Sequence, residues 1–321
     1  METHYDKMTI LRIAKYYYLD GMNQQEISAI ENIHRSQISR ILKMARELGY
    51  VKIRVSTPES FTADYLGNQL QAMLQLGEVA VAPRLSTNQD QTEALYFFAA
   101  RKLEEVLPQC NNIGIGLGKT LYHVASQLTT QVSEKKLNFF STVGFSGTHN
   151  PYLQGSVILD NFVRKFNGSP HYNNLPICAA MHLLSPIDQK RYEALNRAYE
   201  SLDTVILSVG GQLNIDYPYF EEFSLFSKDI NISKGLTKSH ANLLGHIIYD
   251  DGTSLELPDD YCITSMSLSA LKKIPNVICI AFGEQKIEPI ISIVRQGYVK
   301  MLITDEQTAQ VMLMKLKNTD F

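Results

Sequence analysis

No stretch of this 321-residue chain is apolar for the roughly 18 residues that a membrane-crossing helix needs. The longest apolar runs, such as Val277 to Phe282, have the length of a strand. The first residues include Glu2, His4, Asp6 and Lys7 and lack the basic-then-apolar order of a signal peptide, so a cytoplasmic protein is expected. Cysteines are few. Cys110, Cys178, Cys262 and Cys279 lie far apart and none belongs to a C-x-x-C pair. That argues against a zinc site or a disulfide framework, and no metal or cofactor is expected. Internal repeats and low-complexity segments are lacking as well.

A large positive charge is also missing. The net charge is −3, which by itself speaks against a nucleic-acid binder. Its distribution speaks for one. Residues 1–57 carry nine Lys/Arg against six acids, leaving −6 for the rest. Between residues 34 and 54 there are six basic residues and one acid, Glu47. A basic head on an acidic body is the asymmetry of a DNA reader with a separate partner domain. The length suits two domains, and 45% apolar with 20% charged residues is an ordinary globular composition.

The basic head reads as three helices and a strand. Ile10, Ile13, Ala14, Tyr17 and Tyr18 have helical spacing over about 7–20, and Gly21 ends the helix. Asn23 followed by Glu26 is a capping-box pattern that opens a short helix at about 24–30. Asn32, in the turn, is a residue type that tolerates a left-handed backbone. A third helix over about 35–47 puts Ile38, Ile41, Leu42 and Ala45 inward and Arg35, Ser36, Gln37, Ser39, Arg40 and Lys43 outward. In such a helix-turn-helix the last helix enters the major groove. Gln and Arg suit bidentate contacts to adenine and guanine, whereas Ser and Lys suit phosphates. Residues 50–55 alternate with a period of two and predict a strand that could serve as a wing. A plain three-helix bundle with a solvated basic face is the alternative. The agreement of caps, turn, polar face and wing favours DNA.

The string AKYYYLDGMNQQEISAIENIHRSQISRILKMARELGYVKIRV (Ala14 to Val55) resembles the N-terminal domain of the SorC family of sugar-responsive bacterial regulators. His34 stands where that family usually has Ser, and Glu31-Asn32 replace Leu-Gly. The candidate DNA contacts are Gln24, Gln25, Arg35, Ser36, Gln37, Ser39, Arg40 and Lys43.

Residues 58–63 read as a polar linker opened by Pro58, so the expected domains are 1–57 and 64–321. Helical and strand-like stretches then alternate. Helices are expected at 64–76, 89–106 and 119–128, and strands at 78–82, 112–116, 139–145, 203–209, 276–282 and 299–303. That order predicts a largely parallel α/β sheet, whose ligands bind beyond the carboxyl ends of the strands.

Small residues mark several of those ends. Gly114-Ile115-Gly116-Leu117-Gly118-Lys119-Thr120 is no P-loop, because position 113 is Ile, and no dinucleotide fingerprint, because position 119 is Lys. It still opens a helix with free N–H groups that suit an anion, unless it is merely a tight turn. Val143 to Thr148, with Ser146 and Gly147, and Ser208 to Gly211 are weaker signals of the same kind. After the strand 277–282, Gly283-Glu284-Gln285-Lys286 places Lys286 in the first turn of a helix, where a cation opposes the dipole and an anionic ligand would explain it. The alternative is an exposed lysine. Thr304 or Asp305 could cap the last helix, and Asp250-Asp251-Gly252 reads as a turn.

These segments also resemble SorC-family sequences, so the resemblance covers nearly the whole chain. It implies a Rossmann-like effector domain similar to sugar-phosphate isomerases but without catalysis. GIGLGKTL resembles the family's G-x-G-x-G-R-T-L loop, with Lys119 for Arg. AFGEQKIEPI resembles the stretch whose Lys implies that Lys286 binds an effector phosphate. LLGHIIYDDG resembles a helix ending in F-D-x-x-G, whose Asp binds effector hydroxyls, and either Asp250 or Asp251 is the match. GYVKMLITDEQTAQVML resembles the C-terminal signature. The expected effector site is Gly116, Leu117, Gly118, Lys119, Thr120, Ser146, Gly147, Asp250, Gly283 and Lys286. The resemblance further implies a homotetramer or homodimer that binds double-stranded operator DNA and a sugar or sugar-phosphate effector. The alternative function is a sugar-phosphate enzyme with an appended DNA-binding domain, for which His149, Asp250 or Glu284 could be the base.

Overall fold

Caps decide where the N-terminal helices begin. Asp6 accepts the Thr9 N–H at 2.9 Å and starts α1 (Lys7–Tyr18). Asn23 accepts from the Gln25 and Glu26 N–H groups while the Glu26 carboxylate accepts from Asn23 N–H, so the full capping box opens α2 (Gln24–Glu31). Asn32 adopts φ 53° and turns the chain into α3 (Arg35–Glu47). Ile10, Ile13, Ala14, Ile27, Ile38, Ile41, Leu42 and Ala45 are buried together between the three helices. Arg12 donates to both carboxylate oxygens of Glu31, each at 2.7 Å, and ties α1 to α2. This pairing holds the Glu31 carboxyl below its usual range.

The computed structural model describes residues 5–51, 58–84, 91–131, 135–145, 154–211, 240–249, 251–257 and 261–319. The wing expected over 50–55 lies mostly outside the described residues. The chain divides into two compact units, Met1–Ser56 and Thr57–Phe321.

The second unit opens with α4 (Pro58–Leu74). Residues 58–63, read from sequence as a linker, are therefore the start of a helix. Proline is well suited to its first position, because the missing N–H has no partner there in any case. Next come β1 (Glu78–Ala82), α5 (Gln91–Val106), β2 (Asn112–Ile115), α6 (Lys119–Gln127), β3 (Asn138–Ser141), α7 (Gly155–Phe166), β4 (Ser169–His171), β5 (Cys178–Ala180), α8 (Pro186–Tyr199) and β6 (Thr204–Leu207). The chain continues through β7 (Ala241–Leu243), β8 (His246–Ile248), β9 (Tyr261–Ile263), α9 (Leu268–Lys273), β10 (Asn276–Ile280), α10 (Ile287–Arg295), β11 (Met301–Asp305) and α11 (Glu306–Thr319).

Seven strands form one parallel sheet in the order β1-β11-β10-β6-β2-β3-β4. Alternation along each strand feeds two cores. Val205, Leu207, Val277 and Cys279 join the face covered by α4, α9, α10 and α11, while Ile206, Ile278 and Ile280 join the face covered by α5, α6 and α7. Burial on both faces is what a parallel sheet requires. From β2 the chain builds outward to β3 and β4, and from β6 it builds the other way to β10 and β11. The crevice of the sheet therefore opens between β2 and β6, at the topological switch point.

Candidate functional site

The glycine turn after β2 lies at that switch point. Gly116 N–H donates to Ile206 O at 2.8 Å, bridging the ends of β2 and β6. A Cβ on Gly116 would stand 3.2 Å from the same carbonyl, so glycine allows the close approach. Gly118 has φ +124°, ψ 160° and releases the chain into α6. The turn after β10 repeats this solution: Gly283 has φ +100°, ψ 145° before a short 3-10 turn, Glu284–Lys286, that leads into α10. Neither backbone suits an L side chain. Two of the strand ends thus present the start of a helix to the same end of the sheet, with free N–H groups and the positive end of a dipole.

Lysines follow both glycines, in different settings. Lys119 is exposed at the first position of α6. Lys286 is half-buried, and no carboxylate among the described residues pairs with it. Burial lowers its pKa from the ordinary 10.5, while the neighbouring Cys279 thiol acts weakly the other way. The same burial pushes the Cys279 thiol up to about 12, so that it stays neutral. A half-buried cation without a partner, at the N-terminal end of a helix, is costly unless an anion joins it. The sequence put Lys286 inside the helix; it stands instead at the last position of the 3-10 turn, just before Ile287.

The other expected effector residues divide into three groups. Gly116 and Thr120 are buried, Leu117 packs against both cores, and Gly118 and Gly283 are half-buried in their turns. Ser146, Gly147 and Asp250 lie outside the described residues. Asp251 is exposed, and its Oδ1 accepts from the Thr253 N–H at 2.9 Å and the Thr253 hydroxyl at 2.7 Å, which keeps its carboxyl below the usual range. It closes the turn that Gly252 N–H completes to Tyr249 O at 3.0 Å.

LLGHIIYDDG is not the end of a helix. Its first part forms the β7–β8 hairpin, because Leu244 and Gly245 both take positive φ, 53° and 84°, as a two-residue hairpin turn demands. Asn242, in β7, carries no sequence signal. It pairs with Gly210, three residues past the end of β6, and is buried, and its Nδ2 finds no acceptor among the described residues. Thr304 Oγ1 is likewise buried and has no partner among the described residues, so it does not cap the helix that follows. Asp305 does: its Oδ1 accepts from Thr308 N–H at 2.6 Å.

On the N-terminal unit, Gln25 lies exposed and Gln24 half-buried at the start of α2. Arg35, Ser36, Ser39, Arg40 and Lys43 are exposed on α3, with Gln37 half-buried among them. Arg35 and Arg40 pair with no carboxylate among the described residues, whereas Lys43 Nζ lies 3.6 Å from Glu47. His34 fills the cap position that favours serine. Its Nδ1 accepts from Ser36 N–H at 3.4 Å and lies 2.8 Å from Ser36 Oγ. Ser36 is thus partly engaged at the helix start.

A family model described as "Putative sugar-binding domain" matches residues 59–314, four-fifths of the chain. The chain belongs to the SorC family. Among SorC-family relatives, the transcriptional regulator LsrR of Escherichia coli K12 is 25% identical over 313 residues, covering 95% of this chain and 94% of LsrR. The deoxyribonucleoside regulator of Bacillus subtilis 168 is 26% identical, covering 94% and 96%. The full-length sorbitol operon regulator SorC of Klebsiella pneumoniae shares the fold with a TM-score of 0.69 at 21% identity, over 97% of this chain and all of that one. A transcriptional regulator from Streptococcus pneumoniae TIGR4 has the same TM-score at 20% identity, over 80% and 98%. Among the described residues, no helix is long and apolar enough to cross a membrane.

Proposed function

We propose that this SorC-family chain is a carbohydrate-responsive transcription regulator. It binds operator DNA through α2 and α3, and its operator affinity changes when a phosphorylated sugar or polyol occupies the crevice at the ends of β2, β6 and β10. The observation that carries this reading is Lys286, a half-buried cation that pairs with no carboxylate among the described residues, beside two glycine turns at the switch point of the sheet. Lys286 takes the phosphate, helped by the N–H groups after Gly118 and Gly283 and by exposed Lys119. Gly116, Leu117 and Thr120 shape the wall, and Ser146, Gly147 and Asp250 complete the set carried from the family resemblance. On the DNA side, Gln37 and Arg40 reach base edges. Gln24, Gln25, Arg35, Ser36, Ser39 and Lys43 serve backbone or flanking contacts. The functional form is a homodimer or homotetramer on paired half-sites.

The competing enzyme reading requires a base beside the substrate carbon. His149 and Asp250 lie outside the described residues, and Glu284 is exposed. Its relatives named as transcriptional regulators favour the non-enzyme reading. Incubation with a panel of sugar phosphates separates the two. Saturable binding with the ligand recovered unchanged is expected, and turnover of any of them would overturn the proposal.

A further inference from the structure

The cap that opens α3 leaves one nitrogen of His34 unused. His34 Nδ1 accepts from the Ser36 N–H at 3.4 Å and lies 2.8 Å from Ser36 Oγ. A backbone N–H only donates, so Nδ1 is the bare nitrogen and the Ser36 hydroxyl donates to it as well. The neutral ring then carries its hydrogen on Nε2. The backbone on either side is fixed too. Ser28 Oγ donates to Ile33 O at 2.7 Å, and His34 O accepts from the Gln37 and Ile38 N–H groups at 2.8 and 3.2 Å. His34 is exposed, and its Nε2 has no partner among the described residues.

The serine that usually stands here in SorC-family chains would engage its only side-chain oxygen in the cap. Histidine caps with one nitrogen and keeps an N–H donor on the other. The surroundings of that donor suit an anion. The first turn of α3 holds no acidic residue, although carboxylates are favoured at a helix start. Arg35, the next residue, is exposed and pairs with no carboxylate among the described residues. Glu31, the closest acid along the chain, is taken on both oxygens by Arg12. The positive dipole end of the 13-residue helix stands at the same point. No acid of the protein's own competes there for an incoming phosphate.

We propose that His34 contacts DNA: its Nε2–H donates to a phosphate oxygen of the duplex, with the ring held in place by its bond to Ser36. This inference rests on the reading of α3 as the DNA-binding helix. A phosphate contact of this kind positions the helix on the duplex and carries no sequence information. It also differs from the contacts of Arg35 and Lys43. The capping ring is neutral, so it adds a hydrogen bond without displacing a counterion. Loss of the ring should therefore weaken binding to any duplex and leave the salt dependence as it was.

The test is fluorescence anisotropy of the full chain on labelled DNA from upstream of its own gene and on random DNA. Both are titrated across a salt series at about pH 8, where an ordinary imidazole is neutral. The wild type is compared with His34→Ser and His34→Thr, which keep a capping oxygen and remove the ring. Thermal denaturation of each variant reports the cap, and if His34→Ser melts below the wild type, His34→Thr decides. We expect a variant that melts with the wild type to bind both DNAs about tenfold more weakly, with an unchanged salt slope. A variant that melts and binds as the wild type does would overturn the role of His34 and leave the reading of α3 intact, provided that Arg40→Ala still weakens operator binding. Loss on the operator alone would place Nε2 on a base edge and overturn the phosphate assignment, and a reduced salt slope would overturn the neutral donor. A wild type that binds neither DNA would overturn both readings.

Discussion

Gly283 N–H donates to the hydroxyl of buried Thr308 at 2.8 Å, so the turn that carries Lys286 hangs from the first part of α11. Thr308 is itself held by Asp305 through its own N–H. Replacing Thr308 with Val keeps the shape and removes the acceptor. A loss of about 1 kcal/mol of stability is expected, together with weaker effector binding because the Lys286 turn loses its anchor. Thr308→Ser should retain both. Thermal denaturation and ligand titration of the two variants check this, and equal effects of Val and Ser would refute it.

Operator reading by α3 gives a second expectation. Arg40→Ala and Gln37→Ala should each cost about 1–3 kcal/mol on operator DNA and little on random DNA, if each reads a base. Lys43→Ala should weaken both alike and reduce the salt slope by about one. Binding measured across a salt series on both DNAs separates the roles. A uniform loss for Arg40→Ala would assign it to phosphate.

Helix α3 starts on an unusual cap, His34. Its replacement by Ala should cost about 1 kcal/mol, seen as an earlier loss of helical circular dichroism on heating, and His34→Ser should restore the loss. Unchanged melting of His34→Ala would show that the Nδ1 contact to Ser36 contributes nothing.

Much of this architecture is legible in the sequence, and what is not has identifiable causes. The N-terminal helices announce themselves through local signals, the Asn23–Glu26 box and the left-handed Asn32, and these need no tertiary context. The strands β1, β2, β6, β10 and β11 are short apolar runs bounded by polar or glycine turns. The helix α8 is hard to read from sequence because its apolar residues are sparse, although Ser185 before Pro186, with Asp188 three residues on, is a helix-start signal. The helix α7 has no side-chain cap at Gln154 and gave no comparable cue. The β7–β8 hairpin does not announce itself in the sequence, because its turn begins with Leu244, a residue type that rarely takes positive φ. Of the candidate site, the glycine turns and Lys286 were visible as pattern. Asn242 was not, since its meaning depends on a pairing with Gly210 thirty-two residues away.

Protonation should gate the crevice. Burial lowers the pKa of Lys286 below the ordinary 10.5, so its charge is full below the lowered value and lost as pH rises through it. Binding of a sugar phosphate should therefore weaken as pH rises towards 10.5 from below. Lys286→Met should bind more weakly at neutral pH and lose this dependence. Titration across that range checks the sign; an affinity independent of pH in the wild type would contradict the assignment.

Acid should act on the other side of the same hairpin. His246 is largely enclosed, with Nε2 at 3.0 Å from Met266 O, and desolvation lowers its pKa below 6.5. A folded-state value below the unfolded one means that this group's contribution is complete above pH 6.5 and is lost as pH falls from there to the lowered value. His246→Gln should flatten that part of the stability profile in denaturant titrations. An unchanged slope would place the acid sensitivity elsewhere.

The central claim is that one molecule in the crevice changes what the N-terminal helices do. Fluorescence anisotropy of labelled DNA from upstream of the protein's own gene, at fixed salt, tests it directly. The titration is run on the wild type and on Lys286→Ala, with and without a panel of sugar phosphates and free sugars. The account predicts that a phosphorylated sugar shifts operator affinity of the wild type by about 5–150-fold, and that Lys286→Ala binds the operator but no longer responds. Operator binding that no sugar phosphate alters, or a Lys286→Ala variant that responds as fully as the wild type, would contradict it.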